Sequence, residues 1–252
     1  MRGGNKMKSP RVLGIIPSHL ESRRLPGKAL IDIAGKPMIC WVYEAARRTP
    51  LLDQVMVATD SQKIEETCRK AGIEVILTGK HPSGTDRLHE VITRIEADVF
   101  VNIQGDEPLL RPEHFQLLIP PVTSRAAQVS TLKVEMDRVS AQAPNKVKVV
   151  TDKQGRALYF SRYPIPYQRE EEDPPLYYKH LGIYAYHRTA LELFYSLPQS
   201  PLELSERLEQ LRFLENSISI QVIETDYDTI GVDTEEDLRQ VESILESRST
   251  GH

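Results

Sequence analysis

A basic, glycine-containing segment follows the first apolar run of the sequence. Residues 17–28 supply hydroxyls, cations and a glycine: Ser18, Ser22, Arg24, Gly27 and Lys28. Glycine permits close backbone approach, and hydroxyls and cations are groups that hold a polyphosphate at a strand end. The segment matches neither GxGxxG nor GxxxxGK[ST], so dinucleotide binding and P-loop chemistry lose support. Taken alone it fits a solvated basic loop nearly as well, but its position after a first parallel strand favours a phosphate site.

Two carboxylates far apart in the sequence are candidates for a metal site. Asp106 lies in the sequence Gly-Asp-Glu-Pro after an apolar run, and Asp233 lies just before the last predicted helix. Mg²⁺ takes few protein ligands and keeps water and phosphate oxygens in its other positions, so two carboxylates facing a triphosphate suit it. Each segment also has an ordinary interpretation, a turn for Asp106 and a helix cap for Asp233. If the fold brings the two together, they form one Mg²⁺ site.

Composition disfavours several classes of protein. The 252 residues carry 32 Lys and Arg against 36 Asp and Glu, a formal net charge of −4, so the chain lacks the positive field with which proteins bind nucleic acid. The two cysteines, Cys40 and Cys68, have no CxxC spacing, which argues against a disulfide framework or a thiolate zinc site and favours the reducing cytoplasm. No apolar run reaches the ~20 residues of a membrane-spanning helix. The first apolar run is also too short for a signal-peptide core.

Apolar periodicity predicts the elements that must position these residues. Short β-branched runs alternate with amphipathic runs, with strands predicted at 12–16, 54–59, 74–78 and 98–103 and helices at 38–48, 61–71 and 85–96. This alternation is typical of an α/β protein with a mixed, mostly parallel sheet flanked by helices. The carboxyl ends of parallel strands meet at one edge, where open α/β folds bind ligands. The segments after residues 16, 78 and 103 should therefore lie close together.

The second half of the sequence predicts a smaller inserted unit. We predict a hairpin at 147–151 and 156–161, a strand at 180–186, helices at 189–196 and 203–215, a strand at 218–224 and a last helix capped by Thr234. Four prolines between residues 164 and 175 punctuate an acidic loop, which we interpret as a solvated excursion. The expected organisation is a disordered tail at 1–10 and a single domain at 11–248.

Seven short motifs in a fixed order resemble the signatures of one enzyme family. They are SRRLPGK at 22–28, HPSGTDRL at 81–88, QGDEP at 104–108, ALYFSR at 157–162, HLGIY at 180–184, LEQLR at 208–212 and GVDT at 231–234. Together they resemble the 3-deoxy-manno-octulosonate cytidylyltransferase (CMP-Kdo synthetase) family over about residues 12–245. The resemblance implies a nucleotide-diphospho-sugar transferase fold of the glycosyltransferase-A type, with a small inserted subdomain for sugar binding and dimerisation. It also implies a homodimer that converts CTP and 3-deoxy-manno-octulosonate (Kdo) into CMP-Kdo and pyrophosphate for lipopolysaccharide synthesis.

The resemblance implies roles for individual residues. CTP would be bound by Pro17, Ser18, Ser22, Arg24, Lys28, Ser83, Gly84, Thr85 and Arg87. The catalytic set would be Lys28, Arg24, Asp106 and Asp233, with Mg²⁺ on the two aspartates. The sugar acid would be surrounded by Gln104, Arg162, Arg169, His180, Tyr184, Glu209 and Gln210. Arg162 is expected on the acid group of the sugar, because a planar guanidinium offers a carboxylate two parallel donors.

Each sugar-side residue also has a structural interpretation. His180 and Tyr184 have the even spacing that puts both on one face of a strand, where they could form an interior polar pair. Glu209 and Gln210 lie on a predicted helix, where an exposed position is the default, and Arg162 could pair with a neighbouring carboxylate. The residues alone therefore leave the composition of the sugar site open.

The chain departs from the family pattern in its first loop. The family usually has Pro-Ala-Arg-Tyr-Ala-Ser-Thr-Arg, whereas here His19 stands in place of the first arginine and Arg23 is an additional one. We hypothesise that Arg23 replaces part of the lost charge. Other functions also stay open: a cytidylyltransferase for 8-amino-Kdo or a sialic acid, a non-catalytic nucleotide-sugar binding protein, and a glycosyltransferase. The last is disfavoured because the Asp-x-Asp sequence at 226–228 lies near the C-terminus.

Overall fold

Helices pack on both faces of a central sheet in a computed structural model that describes residues 9–21, 25–81, 84–169 and 176–249. The strands are β1 (Val12–Ser18), β2 (Asp32–Ile33), β3 (Lys36–Pro37), β4 (Gln54–Thr59), β5 (Val75–Leu77), β6 (Val99–Asn102), β7 (Val129–Met136), β8 (Lys148–Thr151), β9 (Ala157–Ser161), β10 (Tyr177–His187) and β11 (Ile220–Glu224). The helices are α1 (Met38–Arg47), α2 (Gln62–Lys70), α3 (Gly84–Arg94), α4 (Pro112–Leu118), α5 (Pro120–Thr123), α6 (Arg138–Ala141), α7 (Arg188–Ser196), α8 (Pro201–Glu206), α9 (Leu211–Glu215) and α10 (Glu235–Ser249). A short 3₁₀ turn spans Lys28–Leu30.

The main sheet is mixed. Its strand order, within the described ranges, is β11-β7-β10-β6-β1-β4-β5, with β8 and β9 attached beside β10. The neighbours β6, β1, β4 and β5 run parallel, as do β7 and β11. Strand β10 runs antiparallel to both β6 and β7. The predicted α/β class and mostly parallel sheet are confirmed.

The core has one apolar layer on each face of this sheet. Strand β1 contributes to both layers. Val12 and Ile16 pack in the layer under α1 and α2, and Leu13 and Ile15 pack in the layer under α3 and α7. This is the two-residue alternation that a strand buried on both faces requires. In the described part of the chain, no helix has the length and apolarity needed to cross a membrane.

Strand β7 was not predicted from the sequence. It lies between β10 and β11, and its polar members Ser130, Thr131 and Lys133 are all buried. Ser130 donates a hydrogen bond to the Leu118 carbonyl at 2.6 Å, so its hydroxyl is satisfied in the core. Polar residues inside a buried strand obscure the apolar pattern on which the prediction depended.

The predicted helix at 203–215 is wrong, because the structure divides it into α8 and α9. Arg207 adopts a left-handed conformation with φ 55° and ends α8. The N–H of Leu208 then donates to the Glu203 carbonyl at 3.2 Å, as in a helix C-terminal turn. Glu209 and Gln210 consequently lie in the turn between the two helices and not on a helix surface.

Two other predictions for the second half are confirmed. Strands β8 and β9 pair antiparallel as the expected hairpin. At the start of α10, the Thr234 hydroxyl accepts from the N–H of Asp237 at 3.2 Å, and the Asp237 carboxylate accepts from the N–H of Thr234 at 2.9 Å. Thr234 is therefore the N-cap, with Asp237 as its reciprocal partner. The single domain at 11–248 stays a prediction, and residues 1–8 of the predicted tail lie outside the described residues.

Candidate active site

The loops that follow β1 and β6 meet at the carboxyl edge of the sheet. A Cβ on Gly105 would come within 3.0 Å of the Pro17 carbonyl oxygen, and one on Gly84 would come within 3.3 Å of the Pro17 side chain. The N–H of Val232 donates to the Asp106 carbonyl at 2.9 Å, which ties the loop before α10 to the same edge. The chemistry-bearing segments are therefore neighbours, as the argument from parallel strands predicts.

Lys28 lies between the two predicted metal ligands. Its Nζ is 2.5 Å from Asp106 Oδ2 and 3.0 Å from Asp233 Oδ1. The exposed fractions of the three side chains are 16%, 27% and 38%, so the cluster is in partial contact with solvent. Burial lowers the pKa of Lys28, but the two carboxylates more than offset this effect and leave the pKa above its usual value. Lys28 is therefore a cation held in place by two anions.

Asp106 and Asp233 fit Mg²⁺ as a pair of ligands. Their carboxylates converge on one point, the Nζ of Lys28, and hard carboxylate oxygens are what Mg²⁺ prefers. No group of three or more His, Cys, Asp or Glu side chains is arranged to hold a metal ion in the described ranges. A metal ion at this site would have two protein carboxylates and would depend on phosphate and water for its other ligands.

A cavity of about 760 Å³ opens beside this charged cluster. It extends from the carboxyl edge of the sheet toward the β8–β9 hairpin and the turn between α8 and α9. Nine of the residues selected from the sequence line it, namely Thr85, Gln104, Asp106, Arg162, His180, Tyr184, Glu209, Gln210 and Asp233. The volume and the polar lining suit a hydroxyl-rich small molecule.

His180 and Tyr184 form a buried wall of the cavity. They flank a bulge in β10, between Leu181 and Tyr184, and their ring centroids are 5.3 Å apart. His180 Nε2 is 3.0 Å from the Thr131 hydroxyl. Burial, and then the charge of Lys179, lowers the pKa of His180 to about 3, while burial raises the pKa of Tyr184 well above its usual value. Both rings are neutral near pH 7 and are suited to hydroxyl groups.

Sequence analysis missed several residues of the cavity lining, three of which carry buried polar atoms without a partner. Asn102 Oδ1, Glu107 Oε2 and Thr229 Oγ1 are buried with no hydrogen-bond partner among the described residues, as is the Tyr184 hydroxyl. Unpaired buried polar atoms are costly, so these atoms favour hydrogen-bonding water or a hydrogen-bonding ligand in the cavity. Burial, and then the charge of Asp106, raises the pKa of Glu107 to about 7. Adjacency to Asp106 could have identified Glu107, but nothing in the sequence marks Asn102 or Thr229.

Comparisons with known proteins identify the family of this chain. A cytidylyltransferase family model matches residues 13–220. The chain belongs to the cytidylyltransferase family. It is 52% identical to the 3-deoxy-manno-octulosonate cytidylyltransferase of Koribacter versatilis, over 95% of this chain and 92% of that protein. It is 46% identical to the protein of the same name from Lawsonia intracellularis, over 95% of this chain and 96% of that protein.

Two solved structures share the fold. A structure of CMP:2-keto-3-deoxy-manno-octonic acid synthetase in complex with CTP is 42% identical, has a TM-score of 0.90 and covers 94% of this chain and 99% of that chain. The 4-diphosphocytidyl-2C-methyl-D-erythritol synthase from Anaerococcus prevotii is 13% identical with a TM-score of 0.65, and covers 95% of this chain and 100% of that chain, a likeness of fold alone.

Within this member of the cytidylyltransferase family, Arg87 is buried below the site. Its side chain is 3% exposed, and its guanidinium donates to Asp60 Oδ1 at 2.9 Å, to the Gly79 carbonyl at 3.2 Å and to the Thr78 hydroxyl. These bonds join α3 to the ends of β4 and β5. Arg87 is not among the described residues that line the cavity, and its predicted role at the nucleotide stays a prediction.

The two arginines expected on the sugar carboxylate lie in different surroundings. The Arg162 guanidinium lines the cavity but donates to the backbone carbonyls of Pro144, Glu206 and Arg207. Arg169 is exposed and is not among the described residues that line the cavity. Their predicted contact with the sugar carboxylate stays a prediction.

The remaining predicted nucleotide residues frame the site or lie outside the description. Pro17 and Ser18 end β1 and pair with Ala58 and Thr59 of β4, and Gly84 begins α3. These three residues shape the backbone of the strand ends and do not line the cavity as described. Ser22, Arg24 and Ser83, together with Arg23, lie outside the described residues, so their roles stay predictions.

Proposed function

We propose that the chain transfers a cytidylyl group from CTP to 3-deoxy-manno-octulosonate and releases pyrophosphate. One observation carries this proposal: Lys28, Asp106 and Asp233 form a mixed-charge cluster at the carboxyl edge of the sheet, directly beside a polar cavity. Membership of the cytidylyltransferase family supports the nucleotide, and the relatives named 3-deoxy-manno-octulosonate cytidylyltransferase support the acceptor.

The proposed reaction is an in-line displacement at phosphorus. The anomeric hydroxyl oxygen of the sugar acid bonds to the α-phosphorus of CTP, and the bond from that phosphorus to the oxygen bridging to the β-phosphate breaks. Pyrophosphate leaves with the electron pair, and the hydroxyl proton passes to solvent. The protein forms no covalent bond to the substrates in such a reaction, so catalysis depends mainly on alignment of the reacting groups and neutralisation of the phosphate charge.

The three residues of the charged cluster have different electrostatic roles. Lys28 carries the positive charge that stabilises the leaving pyrophosphate, and Asp106 and Asp233 hold its ammonium in place before substrate binds. We propose Mg²⁺ as the cofactor, held by the same two aspartates. When bound, Mg²⁺ would screen the triphosphate charge and polarise the phosphoryl oxygens.

The cavity selects the acceptor through groups that are neutral or held in fixed positions. His180 and Tyr184 offer hydrogen bonds without charge, and Asn102, Glu107 and Thr229 add unpaired polar atoms in the same space. A sugar acid with many hydroxyls would pair with these atoms and recover the cost of burying them.

The proposed assembly is a homodimer that supplies lipopolysaccharide synthesis in the cytoplasm. Apolar side chains are exposed on the inserted hairpin and the segment beside it: Leu158, Tyr163, Tyr167 and Leu176 are 60–87% exposed. A group of large exposed apolar side chains is what a protein interface requires. Sedimentation of the purified chain tests the dimer.

A pyrophosphate-release assay tests the reaction. Each of the four nucleoside triphosphates is combined with Kdo, 8-amino-Kdo or N-acetylneuraminate, with Mg²⁺ or with EDTA. The expected result is turnover with CTP and Kdo that disappears in EDTA. Faster turnover with another acceptor would correct the substrate, whereas no turnover with any pair would make the chain a nucleotide-sugar binding protein.

A further inference from the structure

His114 is fully buried in the first turn of α4, and both of its ring nitrogens have backbone partners. The N–H of Arg111 donates to Nδ1 at 3.0 Å, and Nε2 is 2.9 Å from the Tyr227 carbonyl oxygen. Because Nδ1 accepts a hydrogen bond, the proton of the neutral ring is on Nε2, which donates to Tyr227. Burial lowers the pKa of His114, so the ring is neutral near pH 7. The ring therefore joins the start of α4 to a residue 113 positions later in the sequence.

Arg111 contacts the side chain of the same tyrosine. Its guanidinium carbon lies 4.7 Å from the centre of the Tyr227 ring. The His114 ring is nearly perpendicular to the Tyr227 ring, with the two centroids 6.3 Å apart. A guanidinium over an aromatic face is an attractive contact. The first turn of α4 thus holds both the backbone and the side chain of Tyr227.

The two parts of the chain that meet here carry the two proposed metal ligands. Helix α4 follows the loop after β6, which contains Asp106, and Tyr227 begins the segment 227–233, which ends at Asp233. Near the other end of this segment, the N–H of Val232 donates to the Asp106 carbonyl at 2.9 Å. The segment 227–233 is therefore tied to the loop after β6 and its helix near both of its ends.

The spacing of the two aspartates needs this support, because their carboxylates repel each other. In the substrate-free protein the ammonium of Lys28 lies between Asp106 and Asp233 and offsets the repulsion. In the proposed reaction Lys28 also has to stabilise the leaving pyrophosphate, and Mg²⁺ tolerates little departure from octahedral geometry. The backbone of the two loops then has to keep the carboxylates at a suitable distance.

We propose that His114 is a positioning residue for the metal pair: its hydrogen bond to the Tyr227 carbonyl holds the segment 227–233 against α4 and so sets the distance between Asp233 and Asp106. This inference rests on the proposed function for the identity of the metal ion. His114 is absent from the cavity lining as described, and no sequence motif marked it.

Asparagine and glutamine at position 114 each retain one of the two bonds. The amide oxygen of asparagine lies where Nδ1 of histidine lies, so His114→Asn can accept from the N–H of Arg111 but cannot reach Tyr227. The amide nitrogen of glutamine lies where Nε2 lies, so His114→Gln can donate to Tyr227 but does not accept from Arg111. The pair of variants separates the link to Tyr227 from the capping of α4.

His187→Gln is the matched control. His187 also caps a helix, because its Nδ1 accepts from the N–H of Thr189 at 3.4 Å at the start of α7, and it is absent from the cavity lining as described. Its replacement removes a histidine cap without touching the contact between α4 and Tyr227.

The Mg²⁺ dependence of pyrophosphate release is the first measurement. At saturating CTP and Kdo, His114→Asn should raise the Mg²⁺ concentration for half-maximal rate about tenfold, because it loses one hydrogen bond that holds the segment. His114→Gln and His187→Gln should stay within about twofold of the native protein. Equal increases in His114→Asn and His114→Gln, or an increase in His114→Gln alone, would overturn the inference, since the link to Tyr227 would then not be the cause.

Amide hydrogen exchange by NMR, without substrate or metal ion, is the second measurement and does not depend on activity. His114→Asn should speed exchange of the Val232 amide, which reports the bond to Asp106, and leave the Arg111 amide protected. His114→Gln should do the reverse, and His187→Gln should speed exchange only at the start of α7. An unchanged Val232 amide in His114→Asn would overturn the inference even if the enzyme is active.

A variant on the other side of the contact covers the case in which His114→Asn does not fold. Tyr227→Gly removes the ring that Arg111 contacts and loosens the backbone at the carbonyl that His114 binds, so it should also speed exchange at Val232. Normal exchange and normal Mg²⁺ dependence in Tyr227→Gly would overturn the inference. If the native protein releases no pyrophosphate but the exchange results are as expected, the proposed reaction fails and the link from His114 to the segment stands.

Discussion

The nucleotide side and the acceptor side of the site differ in the charge of their side chains. On the nucleotide side, Lys28, Asp106 and Asp233 are partly exposed and pair with one another. On the acceptor side, the titratable rings are buried, and burial moves the pKa of His180 down to about 3 and the pKa of Tyr184 up. The nucleotide side therefore holds full charges in place, whereas the buried rings of the acceptor side are neutral and offer hydrogen bonds.

Because of this difference, substitutions on the two sides should affect different kinetic constants. Paired, partly solvated charges can exchange a protein partner for a phosphate group, so they act on the charge that develops during the reaction. Buried neutral groups cannot make that exchange, and they discriminate ligands by leaving polar atoms unpaired when the wrong group is present. Substitutions on the nucleotide side should lower kcat, and those on the acceptor side should change KM or stability.

The largest effect is expected at Asp233. Asp233→Asn keeps the size of the side chain but removes one carboxylate charge from Lys28 and from the proposed metal site. Pyrophosphate release should fall by about 10³-fold or more, because a Lewis-acid metal supplies several kcal/mol of transition-state stabilisation. Activity is measured across Mg²⁺ concentrations, with Glu44→Gln, which breaks an exposed pair with Lys36, as the control. Normal activity with normal Mg²⁺ dependence would exclude Asp233 as a ligand.

The next largest effect is expected at Lys28. Lys28→Ala should lower kcat by about 10²–10³-fold, the usual effect of removing one preorganised donor to a developing charge. The KM for Kdo should change little, since the acceptor cavity is built from other side chains. Near-normal kcat would remove Lys28 from the mechanism, and a large rise in the KM for Kdo would break the division between the two sides.

The charged pair of Glu203 and Arg212 tests the acceptor side through stability. Arg212 binds both carboxylate oxygens of Glu203, at 2.5 and 2.7 Å, and the side chains are only 11% and 3% exposed. Arg212→Met should lower the free energy of unfolding in urea by about 3–5 kcal/mol, because it leaves a buried carboxylate without its cation. The exposed pair in Glu44→Gln should lose at most about 1 kcal/mol. Equal losses in both variants would contradict the contrast between the buried ion pair beside the acceptor cavity and the exposed one.

Near neutral pH the smallest effect is expected at His180, whose contribution to stability appears only on acidification. The folded protein keeps His180 neutral down to about pH 3, whereas the unfolded chain binds a proton at the ordinary pKa of ~6.5. The unfolded state therefore binds more protons between pH 3 and 6.5, so stability should rise with pH in that window by up to about 1.4 kcal/mol per unit. His180→Gln should flatten this slope in urea titrations. If the NMR chemical shifts of the His180 ring titrated between pH 5 and 8, the ring would be accessible to solvent, which would contradict this prediction.

Local pattern was enough to predict the elements that carry their own signals. The apolar runs that became β1, β4 and β6, the hairpin of β8 and β9, and the cap at Thr234 all follow from residues near one another in sequence. Polar residues inside β7 removed that signal, and the left-handed Arg207 interrupted an otherwise helical pattern. Prediction failed where distant contacts override local preference.

The sequence by itself determined the α/β class, the family, and the candidacy of Lys28, Asp106 and Asp233, because periodicity and motif order are properties of the chain. Only the tertiary structure decided that Lys28 lies between the two aspartates, that Arg87 and Arg162 bind backbone and neighbouring side chains, and that Asn102 and Thr229 face the cavity. The physical reason is that a side chain's partners depend on which segments the fold brings within a few ångströms. Residue type limits what a group can bind, but packing determines what it meets.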